Sequence, residues 1–139
     1  MNEYKIMIVD DEPDILSLLE KAFNIEGFYN IIKTDNGNSA VNICRQRRPD
    51  IIILDIMLPG IDGYEVCKQI RQFSHCPILF LSSKNDELDK LLGLAVGGDD
   101  YVTKPFSPKE VAYRVKAQLR RAEYKNTPIQ NESIKIGAL

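Results

Sequence analysis

Short apolar runs alternate along the chain with segments of helical periodicity. The predicted strands span 4–9, 28–34, 51–54, 77–81 and 100–103. The predicted helices, in which apolar residues recur three and four positions apart, span 13–27, 38–48, 63–73, 86–97 and 107–124. Strict alternation of strands and helices predicts parallel strands joined by right-handed crossovers. We therefore expect a doubly wound α/β domain with a five-stranded parallel sheet.

Individual segments carry further expectations. The first helix has one apolar stripe, formed by Ile15, Leu18, Leu19 and Phe23. The last helix has Ser107 in position to cap it and Pro108 at its first position, and the stripe expected to face the sheet comprises Val111, Val115 and Leu119. The strand at 28–34 is of mixed polarity, which favours a place near an edge of the sheet.

The composition of the sequence changes near its end. Residues 1–122 are expected to form one domain, whereas 123–132 are mostly polar and include a proline, which predicts an interdomain linker. Residues 133–139, SIKIGAL, are β-like and predict the first strand of a further domain.

Composition narrows the class of protein. Apolar residues make up 44% of the chain and charged residues 27%, and the net charge of −2 provides no basic field for nucleic acid or anionic lipid. The cysteines Cys44, Cys67 and Cys76 show no C-x-x-C spacing, which favours free thiols in a reducing compartment. Without a signal peptide pattern or an apolar run of about 20 residues, the sequence predicts a cytoplasmic protein with no membrane contact.

Charged and hydroxyl residues stand where the predicted strands end. The first strand is followed by DDE at 10–12 and the third by Asp55, while the fourth reaches Ser82 and the fifth leads to Lys104. Ligands of such sheets bind beyond the carboxyl ends of the strands, where the strand order reverses. If strands one and three are neighbours, three carboxylates converge. Because like charges repel, they need a counter-charge, either Lys104 or a divalent cation, and an all-oxygen site suits Mg²⁺.

Simpler interpretations exist for each residue taken alone. Asp11 and Ser82 are possible helix caps, and Lys104 a solvated surface lysine. Among functions, a hydrolase of the haloacid type needs a second aspartate two residues after Asp55, where this chain has Met57. A flavodoxin-like cofactor binder needs a phosphate loop after strand one, where DDEPD would repel phosphate. A carboxylate that accepts a phosphoryl group remains.

The motifs together resemble a known family. IMIVDDEPDI, PDIIILDIMLPGIDGYEVCKQIR, PILFLSS and GGDDYVTKPFSPKEV occur in the order and spacing of the receiver domain of bacterial two-component response regulators, over about 5–121. MLPGIDG, DDYVTKPFSPKE, LRR and the linker are similar to the winged-helix DNA-binding (OmpR/PhoB-like) subfamily, whose second domain would start at 133–139. The resemblance implies a flavodoxin-like fold with strand order 2-1-3-4-5.

The resemblance also implies the roles of the acidic residues. Asp55 matches the phosphoacceptor. Asp11 would bind Mg²⁺ directly and Asp10 through water, and Asp55 and the backbone carbonyl of Met57 would complete the protein ligands. The expected reaction is transfer of a phosphoryl group from a sensor histidine kinase to Asp55, so the domain is a phosphoacceptor and not a turnover enzyme.

Other positions match the family's switch. Lys104 would pair with the phosphoryl group, and the bond between Lys104 and Pro105 would be a cis peptide. Ser82 matches the switch hydroxyl and Tyr101 the switch aromatic residue. These matches imply that phosphorylation changes a surface that controls the DNA-binding domain, which would be the sole contact with DNA.

A dimer is implied as well, through the fourth helix, fifth strand and fifth helix of two activated copies. The matching intermolecular ion pairs are Lys90 with Glu110, Asp100 with Arg114, and Asp99 with Arg121. Leu94 and Tyr113 would add apolar contact. For an isolated helix the Glu110, Arg114 and Arg121 stripe would be read as a solvated face with local ion pairs.

Three positions depart from the family pattern. Ser83 replaces a usual alanine and is expected to alter access to the phosphoryl group, Gly98 is expected to loosen the end of the fourth helix, and Ala95 removes a charge near the dimer face. Two other functions stay open. One is a receiver-like interaction module that is never phosphorylated, although the chain retains every residue such modules lose. The other is a stand-alone receiver, against which the linker and the strand after it argue.

Overall fold

The computed structural model describes residues 3–83 and 87–125, so most of the predicted linker and all of 133–139 lie outside the described residues. The strands are β1 (Lys5–Val9), β2 (Asn30–Thr34), β3 (Ile51–Asp55), β4 (Ile78–Ser82) and β5 (Asp100–Thr103). The helices are α1 (Pro13–Ile25), α2 (Gly37–Arg47), α3 (Gly63–Ile70), α4 (Glu87–Ala95) and α5 (Pro108–Lys125).

All strand pairs are parallel and their order is β2-β1-β3-β4-β5, which confirms the predicted sheet. The order reverses between β1 and β3, because the chain moves outward from β1 to β2 and then returns to the other side of β1. Val9 pairs with Leu54 in this register, so β1 and β3 end side by side. The residues that follow them are therefore neighbours at one edge of the sheet.

The core forms two layers, one on each face of the sheet. Ile51 and Ile53 belong to the layer that includes buried residues of α1 and α5, whereas Ile52 and Leu54 belong to the layer of α2 and α3. All four side chains are fully buried. This alternation explains why β3 is apolar throughout, since both of its faces are covered.

The helical stripes agree with the sequence except at one residue. Val111, Val115 and Leu119 of α5 are buried, and the Ser107 hydroxyl accepts a hydrogen bond from the Glu110 N–H at 3.3 Å, as expected of a cap. In α1, however, the Leu18 side chain is 46% exposed. The core-facing stripe of α1 instead comprises Ile15, Leu16, Leu19 and Phe23.

The fourth helix is attached differently from the others. Gly93 is its buried residue, while Leu88, Leu91, Leu92 and Leu94 are 45% to 76% exposed. Just beyond this helix, a Cβ added to Gly98 would lie 2.4 Å from Cε2 of Phe80. Gly98 therefore leaves room for the Phe80 ring. The family pattern suggested a loosened helix end at this position and not this steric role.

Candidate functional site

Three carboxylates meet at the edge where β1 and β3 end. Asp10, directly after β1, is fully buried, and Asp55, the last residue of β3, is 2% exposed. Asp11 is exposed beside them, and one carboxylate oxygen from each of the three residues lies within 4.8 Å of the others. Glu12 is the capping position of α1 and makes no side-chain cap, so Asp11 is not the helix cap of the simpler interpretation.

Lys104 supplies positive charge to this acidic cluster. Its Nζ lies 3.2 Å from Asp10 Oδ2, 3.4 Å from Asp55 Oδ2 and 3.5 Å from Glu12 Oε2. The Lys104 N–H donates to the Ser82 carbonyl at 2.7 Å, and the bond from Lys104 to Pro105 is cis, as the resemblance implied. With its side chain 16% exposed, Lys104 is a pocket residue and not a solvated surface lysine.

Burial dominates the electrostatics of the pocket. It raises the pKa of Asp55 to about 6, with a further rise from the charge of Asp10, against the opposing effects of Lys104 and the Met57 N–H. Burial also raises the pKa of Asp10, although the Glu12 N–H and Lys104 oppose it. Burial alone would lower the pKa of Lys104, but the carboxylates of Asp55 and Asp10 raise it. One lysine therefore does not fully offset the acidic cluster.

The donor set suits a hard divalent cation. Carboxylate oxygens at the edge of the sheet are the ligands that Mg²⁺ prefers, and the site is partly open because Asp11 is exposed. Met57 is tied to the cluster because its N–H donates to Asp55 Oδ1 at 3.3 Å. The residues present therefore fit Mg²⁺, with Asp10, Asp11 and Asp55 as candidate ligands.

The loop after Asp55 is packed closely against β3. A Cβ on Gly63 would lie 2.4 Å from the Asp55 carbonyl oxygen, and the Gly63 N–H donates to the Ile56 carbonyl at 2.8 Å. Asp62 caps α3 by accepting from the Glu65 N–H at 3.0 Å. Gly63 thus fixes the backbone that carries Asp55. This role could not be predicted from the sequence, where the only signal is a glycine after a capping aspartate.

The two residues matched to the switch lie on neighbouring strands. Ser82 is buried at the end of β4, beyond the pair formed by Asp55 and Leu81, and Ser83 next to it is exposed. Tyr101 is half-buried on β5, and its ring centroid is 6.1 Å from that of Phe80. Ser82 is thus on the pocket side of the sheet, while Tyr101 packs toward α4.

Four of the six residues matched to the dimer face already take part in ion pairs within one chain. Arg114 lies 2.8 Å from Asp100 and 3.0 Å from Glu110. Asp99 accepts from Arg71 at 2.9 Å and from the Ile78 N–H at the same distance. Of the two other residues of that set, Lys90 on α4 is half-buried and Arg121 on α5 is exposed. Pairing between two chains stays a prediction.

The comparison with known families agrees with this geometry. Residues 6–116 match the response regulator receiver domain. The chain belongs to this family. The match covers β3, all of β1 except Lys5, and the residues from Asp10 to Lys104 that form the pocket.

One relative of this receiver is named as a regulator of transcription. It is 52% identical over 121 residues to the alkaline phosphatase synthesis transcriptional regulatory protein PhoP of Bacillus subtilis (strain 168), a match that covers 86% of this chain and 50% of that protein. This receiver therefore spans about half the length of that curated relative.

Solved structures give the same family. A two-component response regulator from Clostridium difficile is 33% identical with a TM-score of 0.82, covering 90% of this chain and all of the other. DrrB, an OmpR/PhoB homologue from Thermotoga maritima, is 32% identical with a TM-score of 0.77, covering 86% of this chain and 54% of the other. Within the described residues, no helix of this receiver combines the length and apolarity needed to span a bilayer.

Proposed function

We propose that this receiver accepts a phosphoryl group on Asp55 from the phosphohistidine of a sensor histidine kinase, in the cytoplasm, and thereby controls a DNA-binding domain. The observation that carries the proposal is the pocket itself. It holds a nearly buried carboxylate 3.4 Å from the Lys104 ammonium, with Asp10 and Asp11 beside it. An interaction module that is never phosphorylated has no need of such a costly cluster of buried charge.

The chemistry follows from the residues around Asp55. The ionised Asp55 oxygen attacks phosphorus and forms an O–P bond while the bond from phosphorus to the histidine nitrogen breaks. Lys104, positioned by its backbone bond to Ser82, stabilises the negative charge of the transferred group. When bound by Asp10, Asp11, Asp55 and the Met57 carbonyl, Mg²⁺ supplies further neutralisation of the phosphoryl oxygens.

The product, an acyl phosphate, is held and not turned over rapidly. With methionine two residues after Asp55, the position where a haloacid-type hydrolase has its acid/base aspartate lacks a proton carrier. The role proposed is therefore that of a phosphoacceptor whose modified state lasts long enough to signal.

The response is a two-state change in the surface formed by α4, β5 and α5. The Ser82 hydroxyl hydrogen-bonds the phosphoryl group, and Tyr101 is held inward, which favours pairing of two copies through this surface. The proposed intermolecular pairs are Lys90 with Glu110, Asp100 with Arg114, and Asp99 with Arg121. Two-fold pairing would bring two DNA-binding domains to adjacent half-sites.

The test is labelling by a small phosphodonor, acetyl phosphate, measured by intact mass. We expect the wild type to gain one phosphoryl group in the presence of Mg²⁺, and Asp55→Asn to gain none. Asp35→Asn, a substitution at an exposed aspartate after β2, is the matched control and should label as the wild type does. Labelling of Asp55→Asn would refute the assignment, and labelling of the wild type in excess EDTA would refute the role of the metal.

A further inference from the structure

The second residue of α3, Tyr64, lies where α3, α4 and β5 meet. Its hydroxyl donates to the Asp89 carbonyl of α4 at 3.2 Å and also hydrogen-bonds with the Tyr101 hydroxyl. Its ring is 5.6 Å from that of Phe80 in an edge-on arrangement, and Phe80 in turn contacts Tyr101. One side chain from α3 therefore reaches both α4 and β5.

The attachment of α4 makes these contacts important. Gly93 is the buried residue of the helix, and a Cβ there would lie 3.1 Å from Cδ2 of Tyr101 and 3.2 Å from Cδ2 of Phe80. The two rings thus form the surface on which α4 rests. Because the leucines of α4 are largely exposed, little apolar burial holds the helix, so a polar contact at its first turn contributes a large share of its attachment.

The Tyr64 hydroxyl is suited to donate in this place. Burial raises its pKa well above the ordinary value, with further rises from the neighbouring Tyr101 and Asp89. The group therefore stays protonated throughout the physiological range. A hydroxyl that bridges a helix carbonyl and a second hydroxyl fixes both partners relative to α3.

Tyr64 is also linked to the backbone of the phosphoacceptor, through its neighbour Gly63. Gly63, which precedes Tyr64, packs against the Asp55 carbonyl and donates its N–H to the Ile56 carbonyl at 2.8 Å. Any shift of the backbone that carries Asp55 therefore moves the start of α3 and with it the Tyr64 ring.

From this arrangement we propose that Tyr64 is a positioning residue that holds Tyr101 inward beneath α4 and couples the backbone around Asp55 to the output surface. The inference rests on the proposed function, in which the inward position of Tyr101 belongs to the activated state. Since the Tyr64 hydroxyl bonds are made when Tyr101 is packed as seen here, they stabilise that state relative to one in which the ring swings out.

The variant Tyr64→Phe tests this because it keeps the ring and removes the hydroxyl. The net contribution of a hydrogen bond predicts that the equilibrium constant for α4 attachment falls roughly two- to tenfold. Two readouts follow from it. Amide hydrogens between residues 91 and 98 should exchange faster by that factor, and the dimer dissociation constant of the acetyl phosphate-treated protein, measured by sedimentation, should rise by a similar factor.

The matched control is Tyr29→Phe, which removes a hydroxyl from a tyrosine that is 67% exposed at the far edge of the sheet. It should leave both readouts unchanged. Unaltered hydrogen exchange in Tyr64→Phe would refute the proposal that Tyr64 holds α4 in place. Faster exchange with an unaltered dimer dissociation constant would refute its coupling to the output surface. If the wild type neither labels nor dimerises, the proposed function fails, while hydrogen exchange still decides whether Tyr64 holds the helix.

Discussion

Replacing Asp55 by asparagine should stabilise the metal-free protein. Burial and the charge of Asp10 raise the pKa of Asp55 from 3.8 to about 6, so the folded state binds the proton more tightly than the unfolded state does. Ionisation at neutral pH is therefore unfavourable to folding. A rise of about 2 pKa units, at 1.36 kcal/mol per unit, corresponds to roughly 3 kcal/mol.

The free-energy cost of ionising Asp55 in the folded state depends on pH. The penalty is complete above the folded-state pKa of about 6 and is lost as the pH falls toward the unfolded value of 3.8. By linkage, Asp55→Asn should gain roughly 3 kcal/mol in the free energy of unfolding at pH 7.5 and about 1 kcal/mol at pH 4.5. Asparagine has nearly the same shape, and its Oδ1 can still accept from the Met57 N–H.

Urea unfolding in EDTA at the two pH values measures the difference. The control is Asp35→Asn, in which the replaced carboxylate is exposed, so its effect should be small at both values. If the variant is no more stable than the wild type at pH 7.5, or if its advantage does not shrink at pH 4.5, the ionised carboxylate of Asp55 does not destabilise the folded state.

Four further outcomes follow from the same contacts. Mg²⁺ should raise the melting temperature of the wild type and remove most of the advantage of Asp55→Asn, as calorimetry with and without EDTA would show. Gly98→Ala should cost about 1–3 kcal/mol in urea unfolding, since its Cβ would lie 2.4 Å from Phe80, and Phe80→Leu should relieve much of that cost in the double variant. Gly63→Ala should slow acetyl phosphate labelling by displacing the backbone of Asp55. Lys104→Met should also slow labelling, and a rate equal to the wild type would remove Lys104 from the transfer step.

Much of the fold could be predicted because its signals are local. Strict alternation and the uninterrupted apolar run of β3 predict a parallel sheet with both faces covered, and the structure has that sheet. Helix ends were less accurate. The sequence predicts a third helix up to residue 73, whereas α3 ends at Ile70. The N–H groups of Phe73 and Ser74 both donate to the Ile70 carbonyl in a turn. The apolar residues of α1 fit more than one stripe of helical spacing, and the spacing alone does not show which stripe faces the core. The exposure of Leu18 was therefore not predicted.

The candidate site could be predicted only where its residues lie at the ends of strands. Asp10 and Asp55 follow adjacent parallel strands, so their meeting needs only the strand order. Tyr64 and the fit of Gly98 to Phe80 depend on packing between segments that are far apart in sequence, and no local pattern contains that information. The pairing of Arg71 with Asp99 across 28 positions is of the same kind.

The ion pairs within one chain have a consequence for assembly. Asp99, Asp100 and Glu110 already neutralise Arg71 or Arg114 in the single chain. The proposed dimer would therefore exchange partners and create few new ion pairs, and little net Coulomb energy would be gained. Added salt would weaken old and new pairs alike, so the association should depend only slightly on ionic strength. In the proposed dimer, charge at this surface would therefore select an identical partner, and the affinity would come from other contacts.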